Sequence, residues 1–245
     1  MKLQLRNLNF TYPGLGRPAL DDCSLQLDTA SVTVLVGNNG AGKSTLIRLL
    51  TGQLYGYSGS YTLENRDADV LQGEWLAANR FGYVPDVPVL DPRLTGLESL
   101  LMAGSFRGMT RDETLLRLRH FREIFDLGEW LGNMVCGKYS KGMRKKVSLA
   151  IGFLPDPAFV FLDEPFDGLD PIAVYNLKRH LKERKARGLG SLLSSHLLDA
   201  AEKVADELII MKGGRLAFSG AYRTLLENRP GGAALEEIYF EYFGG

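Results

Sequence analysis

The stretch Val32-Thr33-Val34-Leu35-Val36-Gly37-Asn38-Asn39-Gly40-Ala41-Gly42-Lys43-Ser44-Thr45-Leu46-Ile47-Arg48-Leu49-Leu50 decides the fold class. Its centre fits the pattern GxxxxGK[ST], an apolar strand enters it, and an apolar-periodic helix leaves it. The glycines let successive backbone N–H groups curl around phosphate oxygens, and the following helix turns its positive end toward them. Lys43 is expected to reach the β- and γ-phosphates of a nucleotide, and the Ser44 hydroxyl to hold Mg2+. A glycine-rich turn that binds nothing has no need of both flanks. The stretch reads as a nucleotide-phosphate loop and leaves the reaction open.

Further along, Phe159-Val160-Phe161-Leu162-Asp163-Glu164-Pro165 is an apolar strand ending in two carboxylates. Ligands of parallel α/β sheets bind outside such strand ends. Asp163 is therefore expected at Mg2+, through water. Glu164, one residue on and facing the other way, is a candidate to orient or deprotonate an attacking water. In Phe166-Asp167-Gly168-Leu169-Asp170-Pro171, Asp170 reads as a helix N-cap followed by proline at the first helical position. His196 ends the strand Ser191–Ser195; the residues alone leave it between a structural role and a γ-phosphate donor.

Around these motifs, strands are expected at Lys2–Tyr12, Ser24–Leu27, Tyr61–Leu63, Arg80–Val84, Leu208–Met211 and Leu216–Phe218. Pro13–Pro18 reads as a turn. Helical spacing marks Ser44–Gln53, Leu97–Phe106, Asp112–Leu127, Ser140–Leu154, Ile172–Arg187, Leu198–Val204 and a short closing helix, Leu235–Phe243. The division is an α/β nucleotide-type core, 1–94 and 151–245, interrupted by a helical section at 95–150. Composition is that of a soluble globular protein, with 45% hydrophobic and 24% charged residues and zero formal net charge, so no overall field draws in nucleic acid or anionic lipid. Two cysteines, Cys23 and Cys136, give neither a disulfide framework nor metal spacing. The N-terminus carries no apolar stretch of signal-peptide length, and charged or polar residues interrupt every candidate membrane span.

With these residues in hand, the chain resembles the ATP-binding cassette family over essentially its whole length. The segment Tyr139-Ser140-Lys141-Gly142-Met143 is similar to the family's LSGGQ-like signature, with Lys141 and Met143 replacing glycine and glutamine. Its Tyr-Ser-Lys-Gly-Met form looks like that of bacterial exporter subunits. The resemblance implies a P-loop NTPase core with a mostly parallel sheet, an N-terminal antiparallel β subdomain and a helical subdomain insert. It implies an ATPase using ATP and Mg2+. ATP would contact Tyr12, as the adenine-stacking aromatic, and Gly37, Asn38, Asn39, Gly40, Ala41, Gly42, Lys43, Ser44 and Thr45. Asp163 and Glu164 match the metal-holding and catalytic carboxylates, and His196 the switch histidine. Lys43, Glu164 and His196 would carry the chemistry.

The same resemblance implies two cassettes facing head to tail, with Ser140, Gly142 and Asp170 acting on the opposite chain's nucleotide. The other implied partner is a separate transmembrane permease subunit, which places the chain in the cytoplasm on the inner face of the membrane. Where the family usually has glutamine after its strand, this chain has Asp86 in Val84-Pro85-Asp86; that carboxylate is a third candidate for Mg2+ or the water, beside Ser44 and Asp163. The apolar, proline-rich loop Val84–Leu94 is implied as the groove for a helix of the membrane subunit, the alternative being that it folds back on the helical section. Two rival functions are weighed. An inactive regulatory cassette is permitted by Asp86 and the imperfect signature. A nucleic-acid or translation role would draw on Lys141, Arg144, Lys145, Lys146, Lys178, Arg179, Lys182, Arg184, Lys185 and Arg187. The later basic run, interleaved with Glu183, reads more simply as a solvated helix face, and no nucleic-acid partner is expected.

Overall fold

Alternating burial makes β1 (Lys2–Phe10) and β2 (Leu20–Asp28) a pair with one face inward: Leu3, Leu5, Leu8, Leu25 and Leu27 are buried while Arg6, Ser24 and Gln26 face out. All six residues of β3 (Val32–Gly37) are buried, because its sheet is covered on both faces. The phosphate loop then feeds α1 (Lys43–Leu50). With β4 (Ser58–Leu63) and β5 (Arg66–Asp67), the first two strands form an antiparallel sheet in the order β2-β1-β4-β5. The computed structural model describes residues 2–63, 66–67, 80–227 and 234–244.

After β6 (Phe81–Val84) the chain turns helical: α2 (Gly96–Phe106), α3 (Arg111–Phe125), α4 (Trp130–Asn133), a 3-10 turn at Cys136–Lys138, and α5 (Lys141–Gly152). Capping boxes start two of these helices: Thr95 with Glu98 at α2, and Thr110 with Glu113 at α3. The α/β alternation resumes with β7 (Phe159–Leu162), α6 (Pro171–Ala186), β8 (Gly190–Ser194), α7 (Leu198–Glu202), β9 (Glu207–Lys212), β10 (Arg215–Ala221), α8 (Tyr222–Glu227) and α9 (Leu235–Phe243).

The second sheet runs β10-β9-β3-β8-β7-β6 and is parallel apart from β10, which pairs antiparallel with β9. Its two faces build two cores. Val32, Val34, Val36, Val160, Leu162, Leu208 and Ile210 pack with the helical section, whereas Leu35, Phe159, Phe161, Ile209 and Met211 pack with the antiparallel sheet and α1. This is the expected P-loop α/β architecture, and it brings the ends of β3, β7 and β8 to one edge.

The basic run of α6 is only partly a solvated face. Arg184 is fully buried, donating through Nη1 to Asp156 Oδ1 at 2.9 Å and through Nη2 to Pro157 O at 2.7 Å, with its guanidinium over the Phe153 ring. Beside it His180 lies among Phe125, Phe153 and His120, and neither ring nitrogen has a hydrogen-bond partner among the described residues. Burial, reinforced by Arg184, pushes the His180 pKa down to about 3, so the ring is neutral. Among the described residues no helix is long and apolar enough to cross a membrane.

Candidate active site

Two glycines of the phosphate loop, Gly37 and Gly42, cannot be replaced without collision. A Cβ on Gly37 would lie 2.5 Å from the carbonyl oxygen of Met211, and one on Gly42 would lie 2.6 Å from that of Ala19, where φ is already +105°. Lys43 crosses its own loop, its Nζ donating to Gly37 O at 2.7 Å and to Asn38 O at 3.3 Å. Burial lowers the Lys43 pKa, and the nearby carboxylates of Glu164 and Asp163 oppose that shift. A cationic side chain pinned over a row of backbone donors is suited to a polyanion.

A cavity of about 500 Å³ opens over this loop, lined by Asn39 to Thr45, Tyr12, Leu15, Arg17, Pro18, Ala19, Asp86, Asp163 and Glu164. Of the expected nucleotide contacts, Gly37 and Asn38 are outside the lining; Gly37 ends β3, and Asn38 accepts a hydrogen bond from the Tyr239 hydroxyl of α9. Tyr12 stands edge-on to Phe10, and its hydroxyl is 3.2 Å from the Thr45 hydroxyl. Leu15, Arg17 and Pro18 were legible only as part of a turn and Ala19 not at all, yet all four line the cavity.

Asp163 and Glu164 line the same cavity, which corrects the expectation that Glu164 faces the other way. The strand ends at Leu162 and Glu164 takes a left-handed backbone with φ 46°, so the period-two alternation of a strand does not set the direction of its side chain. Asp163 is 3% exposed, and its Oδ1 accepts from Ser194 Oγ at 2.6 Å. The Ser194 Oγ also accepts from Glu164 N at 2.9 Å. Glu164 Oε2 accepts from His196, both from the backbone N–H and at Nδ1. His196 thus reaches the cavity through Glu164 rather than by lining it.

Ser44, Asp86 and Asp163 share a second cavity of about 690 Å³ with Arg48, Gln53, Leu54, Tyr83, Pro85, Val87 and Val89. This donor set fits Mg2+. One hydroxyl and one or two carboxylates leave most positions to phosphate and water, which is how that ion is usually held beside a triphosphate. Among the described residues no cluster of three His, Cys, Asp or Glu forms a self-sufficient metal cage. In the loop after β6, Leu90 packs against the main core, while Val87 and Val89 are 73% and 88% exposed. The apolar loop therefore folds back only in part.

Ser140, Gly142 and Asp170 do not line the nucleotide cavity of their own chain. Ser140 caps α5, accepting from Met143 N at 3.2 Å. Gly142 packs on the carbonyl of Gly168, and Lys141 Nζ pairs with Asp167 at 2.5 Å. Asp170 caps α6 through Ala173 N at 2.8 Å and pairs with Lys146 at 2.9 Å; the Lys146 bond, first, and the cap hold its carboxyl below the usual range. The stretch after the signature is no surface patch. Lys146 is 8% exposed and Lys145 0%, which removes both from any nucleic-acid surface. Lys145 Nζ donates to the carbonyls of Asp86 at 2.7 Å, Glu164 at 3.1 Å and Pro85 at 3.3 Å. Its burial was missed because three consecutive cations look exposed; the helical spacing from Lys145 to Leu149 was the available signal.

Comparison with known proteins bears on this geometry. The family model described as ABC transporter matches residues 20–167. The chain is 34% identical over 226 residues to the ABC-type transporter ATP-binding protein EcsA of Bacillus subtilis, covering 91% of this chain and 90% of that one. It is 34% identical over 232 residues to the probable multidrug ABC transporter ATP-binding protein YbhF of Escherichia coli, covering 94% of this chain but 39% of the longer relative. A solved ATP-binding subunit of an ABC transporter superposes with a TM-score of 0.86 at 33% identity, over 98% of this chain and 99% of its own.

Proposed function

This chain belongs to the ABC transporter family as an ATP-binding, ATP-hydrolysing subunit, and from that premise we propose how its residues divide the work. The backbone of Asn39–Thr45 and the Lys43 ammonium hold the triphosphate, and Tyr12 meets the adenine. Ser44 and Asp163 hold Mg2+, with Asp86 within reach of the same ion or of the attacking water. When bound, Mg2+ neutralises phosphate charge during transfer. Glu164 orients the water and accepts its proton, and His196 fixes the direction of that carboxylate while facing the γ-phosphate.

The observation that carries this reading is the convergence of Lys43, Ser44, Asp163 and Glu164 on one cavity, from beyond the ends of β3 and β7, which flank β8 in the same sheet. It also weighs against an inactive cassette, since both carboxylates are held by hydrogen bonds, from Ser194 and from His196, and line the cavity beside Lys43. Phosphate release from Mg-ATP by the purified chain tests it. Turnover that depends on added Mg2+ and is lost in Lys43→Ala is expected; binding of ATP without phosphate release returns the chain to the inactive-cassette reading.

ATP-binding subunits of this family dimerise and serve transmembrane subunits. For this chain we take residues 95–150 as the helical subdomain, Ser140, Gly142 and Asp170 as the surface offered to a second cassette, and Val87 and Val89 as part of the groove for a membrane subunit. This places the chain on the cytoplasmic face of the membrane. The placement of Ser140 away from its own nucleotide cavity supports the shared-site arrangement, and the exposed valines beside Asp86 support the groove.

A further inference from the structure

Glu164 sits in a backbone conformation that a side chain seldom adopts, φ 46°, and such residues persist only where their surroundings hold them from several sides. Three holds are present. The N–H is fixed by Ser194 Oγ at 2.9 Å, the carboxylate by His196, and the carbonyl receives the Lys145 ammonium at 3.1 Å together with the N–H of Asp167 at 3.3 Å. The first two come from β8 and the residues after it. Lys145 alone among the side-chain holds comes from the helical section, one turn into the helix that Ser140 caps.

A fully buried ammonium is costly unless its protons are all used. Here three carbonyls take them, and the Asp86 carboxylate stands 4.0 Å away to balance the charge. The three carbonyls belong to the loop after β6 and to Glu164, the two segments that carry Asp86 and the proposed base into the nucleotide cavity. Packing alone would be served as well by methionine, so the charge has another use.

We propose that Lys145 is a positioning residue for hydrolysis: it holds Glu164 in its left-handed conformation and joins that carboxylate, with Asp86, to the helix that begins at Ser140. This rests on the role proposed above for Glu164. In a head-to-tail pair it makes one lysine the link between two nucleotides. Ser140 meets the partner's ATP, and Lys145 carries any displacement of that helix to the carboxylate serving the chain's own ATP.

Steady-state kinetics on Lys145→Met, Lys145→Gln, Glu164→Gln and Lys145→Met/Glu164→Gln test the proposal, with circular dichroism reporting folding. Lys145→Met is expected to lower kcat by about 10²-fold, the scale of a misplaced catalytic group, with KM changed by less than about 3-fold. Lys145→Gln, which can still donate to carbonyls, is expected to recover part of that loss. In the Glu164→Gln background Lys145→Met should add nothing, because both changes remove the same function. Folded Lys145→Met with near wild-type kcat overturns the proposal, and so do losses that multiply in the double variant. Failure of both single lysine variants to fold overturns it too, by making the ammonium a prop of the fold. A wild-type chain without Mg-ATP turnover would instead strike at the proposed function itself.

Discussion

Glu164 Oε2 accepts two hydrogen bonds from one residue, the backbone N–H of His196 at 3.0 Å and its Nδ1 at 2.8 Å. The pair fixes the carboxylate's direction and the ring's direction together, on a histidine whose side chain is 57% exposed. With Nδ1 donating to Glu164, Nε2 donates to a phosphate only when the ring carries both protons. The histidine ring is thus held in one orientation by the Glu164 carboxylate.

His196→Ala should accordingly leave ATP binding within about 3-fold while lowering turnover by on the order of 10²-fold, the usual scale for one lost donor to transferring charge. Phosphate release and fluorescent-nucleotide titration of the same preparation check this. Unchanged turnover would make the contact structural.

The shared-site arrangement predicts complementation between two disabled chains. Lys43→Ala and Ser140→Arg should each be inactive, the latter also losing a helix cap worth about 1 kcal/mol. Mixed in equal amounts they should recover about a quarter of wild-type turnover, since half the pairs are mixed and each mixed pair keeps one intact site. No recovery, with mixed pairs demonstrated by differential tags, contradicts composite sites.

Much of this site was legible because it lies on strand ends with short-range signals. GxxxxGKS between an apolar strand and helix fixed the position of Lys43 and Ser44, and the apolar run Phe159–Leu162 fixed that of Asp163. What was not legible depends on long-range packing. The burial of Lys145, Lys146 and Arg184 depends on Asp86, Asp126, Asp170 and Asp156, which contact them across 20 to 59 residues of chain and carry no periodic mark. The reversal at Glu164 is a single dihedral angle, invisible to a pattern of period two. The Tyr239 contact to Asn38 joins residues 201 apart in the chain, so a closing helix read from its own residues gave no hint of it.

Docking on a membrane subunit should be separable from folding at the loop after β6. Val89→Asp places a charge on a side chain that is 88% exposed, so stability should change by less than about 0.5 kcal/mol. Co-purification with the membrane subunit should be lost. Leu90→Asp, by contrast, buries a charge against the main core and should destabilise the chain itself. Retained co-purification in folded Val89→Asp would move the docking surface elsewhere.

His180 predicts an acid-sensitive fold. Its folded pKa of about 3 lies below the ordinary value of 6.5, so the unfolded chain binds the extra proton between those two values. Stability is therefore complete above about pH 6.5 and falls as pH drops, by about 2 kcal/mol at pH 5 from this group. His180→Leu should remove that part of the slope in denaturant unfolding between pH 7 and pH 5. An unchanged slope would assign the acid sensitivity to other groups.

The central claim is that this cavity hydrolyses ATP with Glu164 as the base. Phosphate release from Mg-ATP by Glu164→Gln, measured beside nucleotide binding, tests it most directly. The account predicts turnover lowered by on the order of 10²–10⁴-fold, ATP affinity retained, and a size-exclusion mass that shifts to that of a pair when Mg-ATP is present. Near wild-type phosphate release from the folded variant would contradict it.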